Sequence, residues 1–173
     1  EVLKRRGALE TERRARPSAE EMNRQIEALA ARPAPQAPAA VTMRGAEETL
    51  ERLKAAQKAV AEADQELKRL TSRLEEAPGI AAELRKRAED AEARHKSLDK
   101  ELVSATEESA RAVLQELRRN ARLDARAAQE SLASIEEERA LLKDAAPVAA
   151  QQLDLAQKRE KRLAEEYRLY QEA

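Results

Sequence analysis

The chain has 173 residues, of which 39% are charged, 42% are hydrophobic and 1% are aromatic. Alanine supplies much of the hydrophobic share, and the chain contains no Phe, Trp or Cys. This composition excludes an ordinary aromatic-rich globular core, disulfides and thiolate metal sites. The net charge of −1 arises from interspersed acids and bases, so the whole chain has no strong attraction to nucleic acid or to anionic membranes.

Residues 1–32 are predicted to form a basic arm followed by a short helix. Basic residues outnumber acidic ones in residues 1–16. A solvated terminus is the simplest interpretation, with binding of nucleic acid or lipid as the alternative. Ser18 and Glu21 have the spacing of a capping box, which predicts that the helix begins there. Its apolar stripe consists of Met22, Ile26 and Leu29. The helix should end by Arg32.

Residues 33–44 are predicted to form an extended linker rich in Pro and Ala. Pro33, Pro35 and Pro38 alternate with other residues. Proline fixes φ and lacks an amide donor, so this run is expected to be semi-rigid rather than helical. A ligand for a proline-recognition module is the functional alternative.

The remaining residues, 45–173, have the pattern of long helices. Their apolar residues recur at alternating intervals of three and four, which is typical of coiled coils. Pro78-Gly79 and Pro147 are interpreted as helix breaks. We therefore predict three helices, with approximate bounds of 46–77, 80–146 and 148–172.

The apolar stripe shifts in phase beyond residue 112. We interpret this shift as a change of partner along helix 80–146, with helix 46–77 covering its first half and helix 148–172 its second. The predicted fold is all-α: an elongated antiparallel coiled coil in which one long central helix has a shorter helix folded back on each half.

A few residues are candidates for an interaction surface. Three arginines spaced four apart form a basic stripe that could meet phosphate or an acidic partner: Arg118, Arg122 and Arg126. Tyr167 and Tyr170 fall on the apolar stripe of the last helix, which favours packing, with recognition of a partner as the alternative.

The sequence offers little for catalysis or metal binding. His95, the one histidine, falls in an apolar stripe without further ligands at metal-site spacing, so we interpret it as a seam histidine, with a ligand or pH switch as the alternative. Residues 136–138 are consecutive glutamates, which spread around a helix and are expected to be solvated. Gly-rich phosphate loops, nucleophile elbows and catalytic dyads do not occur. We therefore expect a protein that is not an enzyme and uses no cofactor or metal.

Residues 49–85 contain a Leu-x-x-Ala heptad pattern, then Glu76-Ala77-Pro78, then Leu84-Arg85. This arrangement resembles the N-terminal helical region of large MscS-like mechanosensitive channels. The resemblance implies an extracytoplasmic coiled-coil domain that precedes a membrane channel, with a joint between two helices at the proline. Proline-rich residues 33–38 are not part of that pattern, and the resemblance transfers no functional residues.

The expected function is therefore structural. We expect an interaction rod or spacer that binds a protein partner or itself through its helical seams, without a small-molecule ligand. Its location is the periplasm or cell envelope if the resemblance holds, and otherwise the cytoplasm. The alternative is an accessory segment of a plasmid- or chromosome-handling protein, in which the basic arm and the stripe at Arg118 would contact nucleic acid.

Overall fold

The computed structural model describes residues 7–8, 10–11, 14–37 and 42–172, and these contain helices and no strand. The prediction of an all-α protein is confirmed. Beyond helical residues before Arg16, the described helices are α1 (Ala19–Ala30), α2 (Met43–Ser104) and α3 (Glu108–Glu172). Most of the predicted basic arm, including Lys4, Arg5, Arg6 and Arg13, lies outside the described residues.

The two predicted helix breaks are wrong. Helix α2 continues through Pro78, and α3 continues through Pro147. Each proline is exposed, whereas alanines close to it in the helix are buried, with Ala77 and Ala81 at 4% and 6% exposure. A proline removes one helical hydrogen bond, but it does so here on the solvent face. Burial of the neighbouring alanines holds the helix in place across the missing bond.

The chain turns at residues 105–107, within the predicted central helix 80–146. That helix and the two shorter helices folded onto it are therefore wrong as predicted. Val103, Ser104 and Thr106 are weak helix formers, and Glu107-Glu108 favours a new helix start. Side chains close the turn: Ser104 Oγ donates to the carbonyl of Glu101 at 2.9 Å, and Arg111 Nε donates to the carbonyl of Ala105 at 2.8 Å.

The described residues divide into two compact units. Unit 1 comprises Leu74–Leu141 together with residues 7–8 and 10–11. Unit 2 comprises residues 14–37 and 42–73 together with Leu142 and the chain that follows it to residue 172. Each unit therefore contains part of α2 and part of α3.

In unit 1, the two long helices pack side by side in opposite directions. Three polar pairs join them as the numbering rises in α2 and falls in α3: Arg85–Glu136 at 2.7 Å, Glu92–Gln129 at 2.6 Å and Asp99–Arg118 at 3.1 Å. The buried apolar residues between them are mostly small: Ala77, Ala81, Ala88, Leu98, Ala121, Ala125 and Ala128. Such a small-residue seam lets two helices approach closely.

The three glutamates at 136–138 do spread around α3, but they are not uniformly solvated. Glu136 pairs with Arg85 of α2, whereas Glu138 is only 5% exposed. The expectation of a solvated acidic face is therefore wrong for Glu138. It lies one helical turn before Leu142, on the buried side of α3.

In unit 2, α1 packs beside both long helices. Ser18 caps α1 by accepting a hydrogen bond from the amide of Glu21 at 3.1 Å, which confirms the predicted helix start. Met22 is 3% exposed, as its place on the stripe predicted. The amide of Gln151 donates to Asn23 Oδ1 at 3.0 Å, which fixes α1 against α3. Among the described residues, the largest fully buried side chains also lie in this unit: Leu70 and Leu142.

The predicted linker is shorter than 33–44, because Met43 and Arg44 already belong to α2. Residues 33–37 and Thr42 are not helical. Thr42 caps α2 by accepting from the amide of Gly45 at 3.1 Å. A Cβ at Gly45 would lie 3.2 Å from the ring of Tyr170, so glycine permits the close approach of α3 here.

Glu66 of unit 2 is held by two arginines. Both of its oxygens accept from Arg69, at 2.8 and 3.0 Å, and Arg16 pairs with Oε1. The hydrogen bonds from Arg69, followed by the charges of Arg69 and Arg16, lower the pKa of Glu66 from its ordinary value of 4.5. A carboxylate with a lowered folded-state pKa stabilises the fold fully above its unfolded-state pKa. That contribution is lost as the pH falls through the lowered folded-state pKa.

We therefore predict that Glu66→Gln removes part of the acid sensitivity of folding. Wild-type stability should fall more steeply than that of the variant as the pH drops below about 4.5. Urea unfolding at a series of pH values measures this difference. Glu62→Gln, which removes a more exposed carboxylate on the same helix, is the matched control. Parallel curves for the wild type and Glu66→Gln would contradict the prediction.

Candidate functional site

The three arginines of the predicted stripe have different surroundings in the structure. Arg118 pairs with Asp99 across unit 1 at 3.1 Å, and Arg126 pairs with Glu130 on its own helix at 2.9 Å. Arg122 is exposed and lines an open groove between α2 and α3. Only Arg122 and Arg126 of the predicted stripe line this groove.

The groove in unit 1, named here the basic groove, has a volume of about 550 Å³. Its lining includes Lys96 from α2 and three arginines from α3: Arg119, Arg122 and Arg126. Its one acidic side chain, Glu92, accepts a hydrogen bond from Gln129. Within the part of the chain that the structure describes, Lys96, Arg119 and Arg122 form no ion pair, so the groove carries a local excess of positive charge.

The predicted stripe did not include two basic members of the groove, Arg119 and Lys96. The sequence could have predicted Arg119, because the intervals from Arg119 to Arg122 and from Arg122 to Arg126 are three and four residues, which place all three on one helix face. Spacing along one helix could not predict the presence of Lys96 in the groove. It joins the arginines only because the turn at 105–107 brings α2 alongside α3.

His95 lies at the edge of the seam and lines the basic groove. Its side chain is 27% exposed, and Nδ1 lies 3.4 Å from Asp99 Oδ2, the carboxylate that also pairs with Arg118. This position agrees with the interpretation of a seam histidine. Among the described residues, no group of three or more His, Cys, Asp or Glu side chains is arranged to hold a metal ion.

Unit 1 also exposes large apolar side chains near the turn. Val103 of α2 is 85% exposed, and on α3 the exposures of Val113, Leu117 and Leu123 are 60%, 37% and 55%. Leu123 lines the basic groove. Val113 and Leu117 are four residues apart, so they share a face of α3. Apolar and basic groups therefore occur on the same hairpin.

The two tyrosines lie in unit 2, where both are half-buried. Tyr170 lies against the start of α2 at Gly45, and Tyr167 is one turn earlier on α3. The position of Tyr170 favours the packing interpretation of the sequence. A role for either ring in recognition of a partner stays a prediction.

Comparisons with family models, curated proteins and solved structures found no match to this chain. None of the described helices is long and apolar enough to cross a membrane. The resemblance to MscS-like channels therefore stays a prediction, and one of its elements needs correction. The helix joint that it implies at Pro78-Gly79 is instead a continuous stretch of α2.

Proposed function

We propose that this chain is a non-enzymatic interaction module, an antiparallel coiled coil that acts through contact with other protein surfaces. The observation that carries the proposal is the set of exposed apolar side chains on the hairpin of unit 1, led by Val103 at 85% and Val113 at 60% exposure. Their contact with water is unfavourable, and burying them against a partner would relieve it.

The partner proposed first is a second copy of the chain. Val113 and Leu117 provide an apolar strip on one face of α3, and a two-fold axis would place this strip against its own equivalent. Acidic and basic residues are interspersed around the strip, including Glu116 and Arg111. Mixed charges of this kind allow the same face to pair with itself.

Sedimentation equilibrium over a wide range of protein concentrations tests this proposal. We expect reversible self-association of the wild type, and a shift towards monomer in the double variant Val113→Ser/Leu117→Ser. The matched control is Ile80→Ser, which changes another exposed apolar residue of unit 1. A wild type that stays monomeric and melts independently of concentration would overturn self-association as the mode of action.

We extend this proposal to a location in the cell envelope. The resemblance of residues 49–85 to the helical region of MscS-like channels supports a spacer role outside the cytoplasm, ahead of a membrane channel. The sequence of the complete gene tests it directly. Membrane-spanning segments after this region would support the role, and a complete gene without them would count against it.

A nucleic-acid accessory role is the second candidate, and the basic groove favours it. Lys96, Arg119 and Arg122 form no ion pair with described residues, so they could neutralise phosphates. We expect the affinity for duplex DNA, measured by fluorescence anisotropy, to fall with salt and to fall further in Arg119→Gln/Arg122→Gln. Arg87→Gln is the control from the exposed surface of unit 1. Equal losses of affinity in the double variant and in Arg87→Gln would speak against this role.

A further inference from the structure

Four arginines from distant parts of the sequence converge on one groove of unit 2. Arg32 follows α1, Arg52 is on α2, and Arg159 and Arg162 are on α3. We name this the arginine groove. Its volume is about 410 Å³, which is within the range of small-ligand sites, and its lining contains one acidic side chain, Glu166.

Hydrogen bonds fix two of these guanidinium groups without neutralising them. Arg159 Nη2 donates to Gln25 Oε1 at 3.3 Å. Arg162 donates to the carbonyls of Arg32 and Pro33 at 3.4 and 2.6 Å, where it complements the carboxyl end of α1. A guanidinium group has five N–H donors, so both groups are positioned while keeping donors for a ligand.

The other two arginines are not ion-paired, although three glutamates of α2 lie near Arg52. Arg32 and Arg52 form no ion pair or side-chain hydrogen bond with any residue that the structure describes. Arginine stays protonated at any physiological pH, so the groove holds four positive charges against the single carboxylate of Glu166. The chain as a whole has a net charge of −1. The repulsion among these cations would be relieved by a bound anion of high charge density.

We propose that the arginine groove binds an oligophosphate anion. The planar fork of arginine matches the oxygens of phosphate and can bind them in bidentate fashion. The remaining lining is aliphatic or amide, from Ala28, Leu29, Leu163 and Gln25, with no aromatic ring for a nucleobase to stack on. Recognition should therefore depend on the phosphates and not on a base. The inference is independent of the proposed interaction role of unit 1.

Isothermal titration calorimetry with inorganic tripolyphosphate at low ionic strength tests the proposal. We expect one site per chain, weakened about ten- to a hundredfold by Arg52→Gln or Arg32→Gln, since each removes a charge-assisted contact. Arg52→Lys should lie between the wild type and Arg52→Gln, because it keeps the charge but loses the fork. Arg162 is left unchanged because it also holds the end of α1.

The matched control is Arg24→Gln, which removes an exposed arginine of α1 outside the groove. It should leave the affinity unchanged, and far-UV circular dichroism should show the same helix content in every variant. A nucleoside triphosphate should bind no more tightly than tripolyphosphate, and a clear preference for it would overturn recognition by phosphate alone. Absent binding, or equal weakening by Arg24→Gln, would overturn the site.

Discussion

Leu142→Ala should destabilise the protein by about 2–5 kcal/mol, because the truncation leaves a cavity at a fully buried position. Leu142 and Leu70 are the two large side chains with no solvent exposure in the described chain, in a structure whose other buried apolar residues are mostly alanine. A domain is stabilised by only about 5–15 kcal/mol in total. The loss at Leu142 would therefore be a large fraction of the free energy of unfolding.

Urea unfolding followed by far-UV circular dichroism measures the effect, and the denaturant slope should stay constant. Leu123→Ala is the matched control, because it makes the same chemical change at a side chain that is 55% exposed. Its effect should stay within about 0.5 kcal/mol. A similarly small effect of Leu142→Ala would mean that the packing of unit 2 is not as described.

Pro78→Ala should stabilise the protein by about 2 kcal/mol. Within a helix, proline costs about 3 kcal/mol relative to alanine, since it removes a hydrogen bond and crowds the preceding turn. Alanine would restore the bond to the carbonyl of Leu74. The freer unfolded chain would take back about 0.4–1 kcal/mol of this gain. Thermal and urea unfolding should both show the increase, and Pro147→Ala in α3 should behave in the same way.

Pro35→Ala provides the control with the opposite sign. Pro35 lies in the linker, outside any helix, so alanine there restores no helical bond and only loosens the unfolded chain. A small loss of stability is expected. If Pro78→Ala also lowered the free energy of unfolding, α2 would have to end near Pro78, as the sequence alone had suggested.

The predicted helix breaks were wrong because the rule that proline ends a helix was given more weight than the apolar spacing. The apolar spacing continues without interruption across Pro78, through Leu74, Ala77, Ala81 and Leu84. That continuity was the better guide, because a solvent-facing proline costs one hydrogen bond, whereas a broken seam would lose burial on both sides. The phase shift after residue 112 was real as well. It follows the turn at 105–107 and does not mark a change of partner along one helix.

The parts that the sequence predicted well depend on neighbours in the chain. The cap at Ser18 and the burial of Met22 follow from local spacing, as does the absence of helix in residues 33–37. The arginine groove does not, because Arg32, Arg52 and Arg159 meet only once α1 is packed against both long helices. The sequence does not determine how α2 and α3 align, so it could not predict which charged residues of the two helices lie close together.

The three polar pairs of unit 1 have a consequence for the behaviour of the hairpin. Alanine layers are nearly identical in size, so they discriminate poorly between one alignment of the helices and another. Arg85, Glu92 and Asp99 recur every seven residues along α2, and each engages α3 at the solvent boundary. Dissolved ions screen exposed charges but scarcely affect methyl contacts. A higher ionic strength should therefore make it easier for the two helices to shift in register along each other, while the free energy of their apolar packing stays nearly constant.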